Sequence, residues 1–258
     1  MTMKKIGIAL SGGGARGYAH LGILKALKEN GIIPTVYSGT SAGAMVGALA
    51  AAGYDTETIY NISKKTDFFG IRHVLFGKAG IFSTEPIEKL IKEHIPGDSF
   101  ESLKCKLTIA ATNIVECKTD YFNSGCLSKA VAASSCIPMV YEPVKINGNV
   151  YLDGGLLNIF PVSPLIGECD LIIGSYVNEI SKKLEHLHMK DMLDRSFHLA
   201  LSGNVRENAR HCHLFLSPPE MSRFSMFDTD KIDEIITYGY QYAIEEIKHN
   251  EHLIKSFL

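Results

Sequence analysis

The sequence predicts an α/β fold around a mainly parallel central sheet, and three observations carry that expectation. The run Ile6-Gly7-Ile8-Ala9-Leu10 is continuously apolar and ends in glycines, the pattern of a strand buried on both faces. Strand-like and helical segments alternate along the chain, as layered α/β folds require. With 258 residues, 46% of them apolar, there is material for a large core within one domain. That domain is expected to span 1–258, with the motif-bearing part over about 6–165. The C-terminal part would then complete the sheet and dock a final helix.

Element by element, the first strand gives way to a helix over Tyr18 to Asn30, with His20, Ile23, Leu24 and Leu27 on one face and a stop at Gly31. A short strand is expected at Thr35 to Ser38. Ala42 to Ala52 then reads as a helix of small residues, slim enough to approach a sheet closely. Further strands are expected at Leu107 to Ala111, Leu171 to Val177 and His213 to Leu216. Asn147-Gly148 separates Val144-Lys145-Ile146 from Asn149-Val150-Tyr151-Leu152, a turn of the kind that closes a hairpin. Ile232, Ile235, Ile236, Ala243 and Ile247 recur at helical spacing behind Asp228 and Thr229, either of which is a suitable cap.

Composition removes several function classes. Net charge is −2 without a long basic run, so nothing offers a footprint for nucleic acid or a polybasic membrane anchor. The six cysteines never form CxxC and several sit in apolar stretches, as expected of buried thiols in a reducing compartment. The apolar segment after Lys4-Lys5 is too short for a signal-peptide core or a membrane span. A cytoplasmic location is expected.

Two glycine-framed turns, Gly12-Gly13-Gly14-Ala15-Arg16-Gly17 and Gly39-Thr40-Ser41-Ala42-Gly43, each follow an apolar run and open a helix-like segment. Read together they are an oxyanion site and its nucleophile, the pair that acyl transfer needs. The first also satisfies GxGxxG between strand and helix, which a dinucleotide's pyrophosphate could occupy. Such a site wants an acidic residue about 20 positions later, and no Asp or Glu occurs between Glu29 and Asp55. In the second turn Gly39 and Gly43 relieve the crowding of a sharp strand-to-helix elbow that presents Ser41. Ser41 then lies at a helix N-terminus, where the Ala42 N–H is a candidate oxyanion donor. The plainer reading of this turn is a helix-capping serine.

Histidine is the usual base for such a serine, yet none of the ten here is decisive. His20 falls on an apolar helix face, where a hydrogen-bonded core histidine is the simpler account. His186-x-His188 and His211-x-His213 lack a convincing carboxylate or cysteine framework for a metal, and no metal or cofactor is expected. Asp153 is the better base: it ends a strand, precedes the turn Gly154-Gly155, and stands between Leu152 and Leu156, where partial desolvation raises basicity. Asp-Gly-Gly is on its own also an ordinary turn.

With these three pieces assembled, the chain resembles the patatin-like phospholipases, particularly small bacterial members. The resemblance also covers Tyr18 to Gly31, Ala133-Ser134-Ser135-Cys136-Ile137-Pro138 and the closing helix near Phe227 to Ile247. It implies a three-layer α/β/α fold and a Ser-Asp dyad that hydrolyses acyl esters of lipids without metal or histidine. Carried over, Ser41 attacks the ester carbonyl, Asp153 takes its proton and returns it to the leaving alcohol, and the N–H groups of Gly12, Gly13 and Gly14 hold the oxyanion. Arg16 either adds positive charge or, with Gly17, supports the loop. A lipid or acyl-ester substrate implies transient contact with a membrane surface. For long acyl chains, Phe68 to Gly77 with Phe82 reads either as a mobile cover or as core packing, and Phe224, Met226 and Phe227 could join it. A nucleotide-dependent enzyme and a catalytically silent interaction domain are the competing classes.

Overall fold

The structure, a computed structural model, describes residues 4–66, 82–180 and 202–256, together with Met192, Arg195, Ser196, Leu199 and Ala200. Strand β1 (Ile6–Leu10), buried at every position, leads through a 3-10 turn at Gly14–Tyr18 into α1 (Ala19–Glu29). β2 (Val36–Thr40) runs into α2 (Ala42–Ala51) with Ser41 alone between them. Helix α3 (Thr56–Lys65) starts at Asp55, whose carboxylate accepts the Thr58 N–H at 2.8 Å, and α4 (Glu85–His94) follows.

β3 (Lys106–Asn113) and β4 (Lys118–Phe122) form an antiparallel pair, and α5 (Leu127–Ser134) returns from it. β5 (Val144–Ile146) and β6 (Asn149–Asp153) make the expected hairpin; Asn147 at φ 49° and Gly148 at φ 82° supply the left-handed turn that such a short loop demands. The chain continues through α6 (Gly155–Asn158), β7 (Leu171–Ser175), α7 (Val205–Ala209), β8 (Leu214–Leu216), α8 (Ile232–His249) and α9 (Glu251–Lys255).

Among the described residues the eight strands form one mixed sheet. β3, β2, β1, β7 and β8 lie side by side in parallel, while β4 and the β5–β6 hairpin add antiparallel pairing at β3. Alternate residues of β1 and β7 serve opposite faces. Ile8, Leu10, Leu171 and Ile173 pack into the larger core with α1, α2, α5 and α8. Ala9 and Ile172 join Phe160, Val162, Leu165 and Tyr176 in a smaller core on the other side. The result is a three-layer α/β/α arrangement.

One topological detail positions the site. β2 pairs with β3 as far as Thr40 opposite Ala110, and β6 pairs with it from Asp153 opposite Ala111. β4 occupies β3 from Ile109 to Asn113. A strand has only two edges, so β2 and β6 share the edge away from β4 and meet end to end. That junction brings the end of β2 against the end of β6.

One strand carries no sequence signal, and one expectation needs correction. β4 was not foreseen, because Lys118-Thr119-Asp120-Tyr121-Phe122 is largely polar and partly exposed. Neither Asp228 nor Thr229 caps α8, which begins at Ile232 behind Lys231. Asp228 instead accepts the Ser225 N–H at 2.9 Å, closing a separate turn upstream of the helix. The helix itself docks as expected, burying Ile235, Ala243 and Ile247.

Candidate active site

Ser41 is the whole connection between β2 and α2, and its backbone sits at φ 52° and ψ −119°. A non-glycine residue holds such a conformation only where its surroundings impose it. They do so here. A side chain at Gly43 would place its Cβ 2.2 Å from the Leu10 carbonyl oxygen, and one at Gly39 would come 2.5 Å from the Gly43 oxygen. The elbow is folded onto itself and onto β1 with no room for a methyl group. The Ser41 N–H donates to Ser134 Oγ at 2.8 Å, and that hydroxyl donates to the Ala110 carbonyl at 2.6 Å.

The same short segment holds Asp153. Its N–H donates to the Cys136 carbonyl at 2.9 Å, and the next N–H, of Gly154, reaches the Ser134 carbonyl at 3.2 Å. Residues 134–136 therefore tie the serine elbow and the end of β6 to one another. Asp153 Oδ1 accepts the Gly155 N–H at 2.7 Å. Burial pushes the Asp153 carboxyl up to about 6, against the opposing pull of the Ser41 hydroxyl and the Gly155 N–H. Serine and carboxyl thus face each other, although the two make no fully aligned hydrogen bond among the described residues; such pairs commonly tighten only around substrate.

The glycine loop supplies the third part. Gly12, Gly13 and Gly14 line one narrow pocket with Ser41 and Asp153, closed by Ile137, Pro138, Leu156, Ile159 and Met226. Gly12 does not serve as an oxyanion donor: its N–H is spent on the Ile159 carbonyl at 2.9 Å. Among the described residues the N–H groups of Gly13, Gly14 and Ala42 have no protein acceptor. Arg16 is buried and donates from Nε to the Phe224 carbonyl at 2.7 Å, and the Ala15 N–H reaches the Met226 carbonyl at 2.8 Å. Both contacts pin the loop, which favours the supporting role for Arg16; Gly17 lies in the same buried 3-10 turn.

His20 is a core residue. Its Nε2 donates to the Ser11 carbonyl at 2.9 Å, its Nδ1 accepts from Ser175 Oγ at 2.7 Å, and burial lowers its pKa to about 4, so the ring is neutral. His213 Nδ1 accepts the Ile172 N–H at 3.0 Å, and His186 and His188 lie outside the described residues. Phe68 to Gly77 also lies outside them. Phe82 joins Tyr141 in an isolated bridge, Phe224 is buried in the core, and Met226 alone of the three later candidates lines the pocket.

A family model for patatin-like phospholipases matches residues 8–166, which takes in the glycine loop, the elbow and Asp153. The chain belongs to the patatin-like phospholipase family. This patatin-like chain is 34% identical over 177 residues to an NTE family protein of Mycobacterium bovis, covering 67% of the chain and 49% of the relative. It is 27% identical over 286 residues to lysophospholipase NTE1 of Kluyveromyces lactis, covering 96% of the chain and 20% of that protein. The chain thus spans about half the length, or less, of these curated relatives. Among solved structures the patatin-like fold matches VipD from Legionella pneumophila with a TM-score of 0.58 at 17% identity, over 95% of this chain and 67% of that one. It also matches ExoU of Pseudomonas aeruginosa, solved in complex with SpcU, with a TM-score of 0.53 at 17% identity, over 96% and 52%. What sequence reasoning missed in this patatin-like site is its scaffolding. Ser134 stood inside the Ala133 to Pro138 segment without a role, and the clamps from Ile159, Phe224 and Met226 carry no local signal.

Proposed function

We propose that the chain is a serine acyl hydrolase that cleaves carboxylic esters of lipids with Ser41 and Asp153. The observation that carries this reading is the end-to-end meeting of β2 and β6. It delivers a strained serine and a carboxyl of raised basicity to one apolar pocket lined by Gly13 and Gly14, whose N–H groups have no protein acceptor among the described residues.

Ser41 Oγ attacks the ester carbonyl while Asp153 accepts its proton, and the carbonyl π electrons move to oxygen. The N–H groups of Gly13 and Gly14, with Ala42 at the start of α2, receive that oxyanion. Collapse breaks the bond to the alkoxide, which takes the proton back from Asp153 and leaves as an alcohol. Water then repeats the sequence on the acyl-serine, with Asp153 again the base, releasing the fatty acid. Ile137, Pro138, Leu156, Ile159 and Met226 offer an acyl chain an apolar wall. The name lysophospholipase carried by the NTE1 relatives supports a lipid ester as substrate. Among the described residues no helix is long and apolar enough to cross a membrane. A single cytoplasmic catalytic domain that contacts lipid surfaces transiently is part of this reading.

Fluorophosphonate labelling run beside p-nitrophenyl ester hydrolysis tests the nucleophile. The wild type is expected to label and turn over, and Ser41→Ala to do neither while keeping its circular dichroism spectrum. Full turnover in Ser41→Ala, or a wild type inert in both assays, overturns the reading. Ser134→Ala tests the scaffold: it leaves the Ser41 N–H without its acceptor, which costs about 1–3 kcal/mol of stability. A roughly tenfold fall in kcat should accompany that loss, since the elbow shifts by tenths of an ångström. Thermal denaturation and steady-state kinetics read both, and an unchanged kcat would separate Ser134 from nucleophile placement.

A further inference from the structure

We infer that Asn178 is a positioning residue that aims the Gly13 N–H into the oxyanion site, an inference that rests on the acyl-hydrolase reading above. The Gly12 carbonyl and the Gly13 N–H belong to one planar trans peptide unit, so they point in opposite directions. Whatever holds the oxygen therefore steers the N–H. The Gly12 oxygen accepts from two side chains, Asn178 Nδ2 and Ser11 Oγ, the latter at 2.9 Å. Both side chains are almost wholly buried, at 2% and 0% exposure. With the oxygen anchored towards the interior, the Gly13 N–H is directed away from it, on the side where the loop lines the pocket with Ser41.

Such anchoring is needed because the loop has no conformational preference of its own. Gly13 sits at φ 155° and Gly14 at φ 55°, and free glycine spreads over much of φ/ψ space. The neighbouring peptide is held too, since the Gly12 N–H donates to Ile159. Ser11 Oγ in turn accepts the Val177 N–H at 3.1 Å, and Tyr176 Oη donates to the Asn178 carbonyl at 3.2 Å, so the segment after β7 is built around this contact.

The orientation of the Asn178 amide follows from chemistry: a carbonyl only accepts, so the nitrogen end must face Gly12. The other end, Oδ1, is buried without a hydrogen-bond partner and lies 2.9 Å from where a Cβ on Gly13 would stand. A carboxamide that leaves its oxygen unsatisfied in the interior is costly to keep. The orientation it imposes on the Gly12–Gly13 peptide is the return for that cost.

The test compares wild type with Asn178→Leu, which removes the donor, and Asn178→Asp, which keeps the shape but sets a second acceptor against the Gly12 oxygen. Three quantities are read: kcat and KM on a p-nitrophenyl ester, the inhibition constant of a trifluoromethyl ketone with the same acyl chain, and the thermal midpoint. Ser41 Oγ adds to the ketone carbon, the carbonyl electron pair moves to oxygen and the serine proton passes to Asp153, so the adduct reproduces the oxyanion. Loss of an oxyanion donor costs about 10²–10³ in kcat, and misdirection of one should cost roughly 10–100-fold. KM should stay within about twofold, and the ketone should weaken by the same factor as kcat falls. Unchanged kcat in folded Asn178→Leu, or a fall in kcat with wild-type ketone affinity, overturns the inference. Should both Asn178 variants fail to fold, the smaller Asn178→Ser, whose hydroxyl cannot reach the Gly12 oxygen, takes their place, and wild-type ketone affinity there overturns it equally. An active wild type with unaffected variants sinks this inference alone, whereas an unlabelled, inert wild type removes the acyl-hydrolase reading and this inference with it.

Discussion

Asp153→Asn is expected to lose about 10³-fold in turnover and, above neutral pH, to be more stable than the wild type. Both effects have one origin. Burial raises the Asp153 carboxyl to about 6, whereas an unfolded aspartate titrates near ~3.9. A raised folded pKa means that the folded state binds the proton more tightly. The corresponding stability is fully present below about pH 4 and is lost as pH rises through about 6. At pH 8 the ionised carboxylate therefore costs on the order of 3 kcal/mol. Asparagine removes that charge while still offering an oxygen to the Gly155 N–H. Chemical denaturation at pH 4.5 and pH 8 checks the thermodynamic half: the wild type should weaken over that interval and the variant should not. The kinetic half is a wild-type kcat/KM that rises through about pH 6 and levels off, as the base ionises. A variant no more stable than wild type at pH 8, together with a flat wild-type profile, would mean that the carboxyl is neither desolvated nor the base.

Gly43→Ala should prevent folding. The new Cβ would lie 2.2 Å from the Leu10 oxygen and 2.6 Å from the Ser11 oxygen, both main-chain atoms of a central strand and the loop leaving it. Neither can swing aside as a side-chain tip would. Relief requires α2 to back away from β1 by about an ångström, which opens the core that the helix covers, so a loss above ~4 kcal/mol is expected. Gly47→Ala, one turn further along α2, is the control. There the nearest atom is a Leu107 methyl carbon at 3.3 Å, which can adjust, and the gain in helix propensity offsets the contact to within about 1 kcal/mol. Soluble yield and thermal midpoint report the contrast, and a folded Gly43→Ala of ordinary stability would refute the elbow's close packing on β1.

Those two glycines also mark what was readable from the sequence. Ile6 to Leu10, the Gly39 to Gly43 elbow, the small-residue helix and the Asn147-Gly148 hairpin were legible because each is specified by its own few residues. Asp153 was legible as a candidate base from its apolar neighbours and its place at a strand end, and the structure buries it in the pocket that Ser41 lines. β4 was not legible, because polar strands that face solvent have no clear apolar alternation. The cap of α8 was misread because Asp228 has the right chemistry and a closer claim on it, from Ser225. The N–H of Gly12 was assigned to the oxyanion because its partner, the Ile159 carbonyl, lies far along the chain. Ser134 and Asn178 share that difficulty: their work is done on the backbone of residues remote in sequence, and no local pattern announces it.

The clamps on the glycine loop also set an order of events in time. The loop and Ser41 leave the ribosome early, since domains emerge N-terminus first, yet the carbonyls that hold Ala15 and Arg16 belong to Met226 and Phe224. Contacts so distant in sequence form late. A chain still being synthesised therefore carries its serine long before it has the loop geometry to use it. On the proposed reading, catalytic competence waits until Phe224 and Met226 have closed on the loop, so partly synthesised copies of the hydrolase are idle.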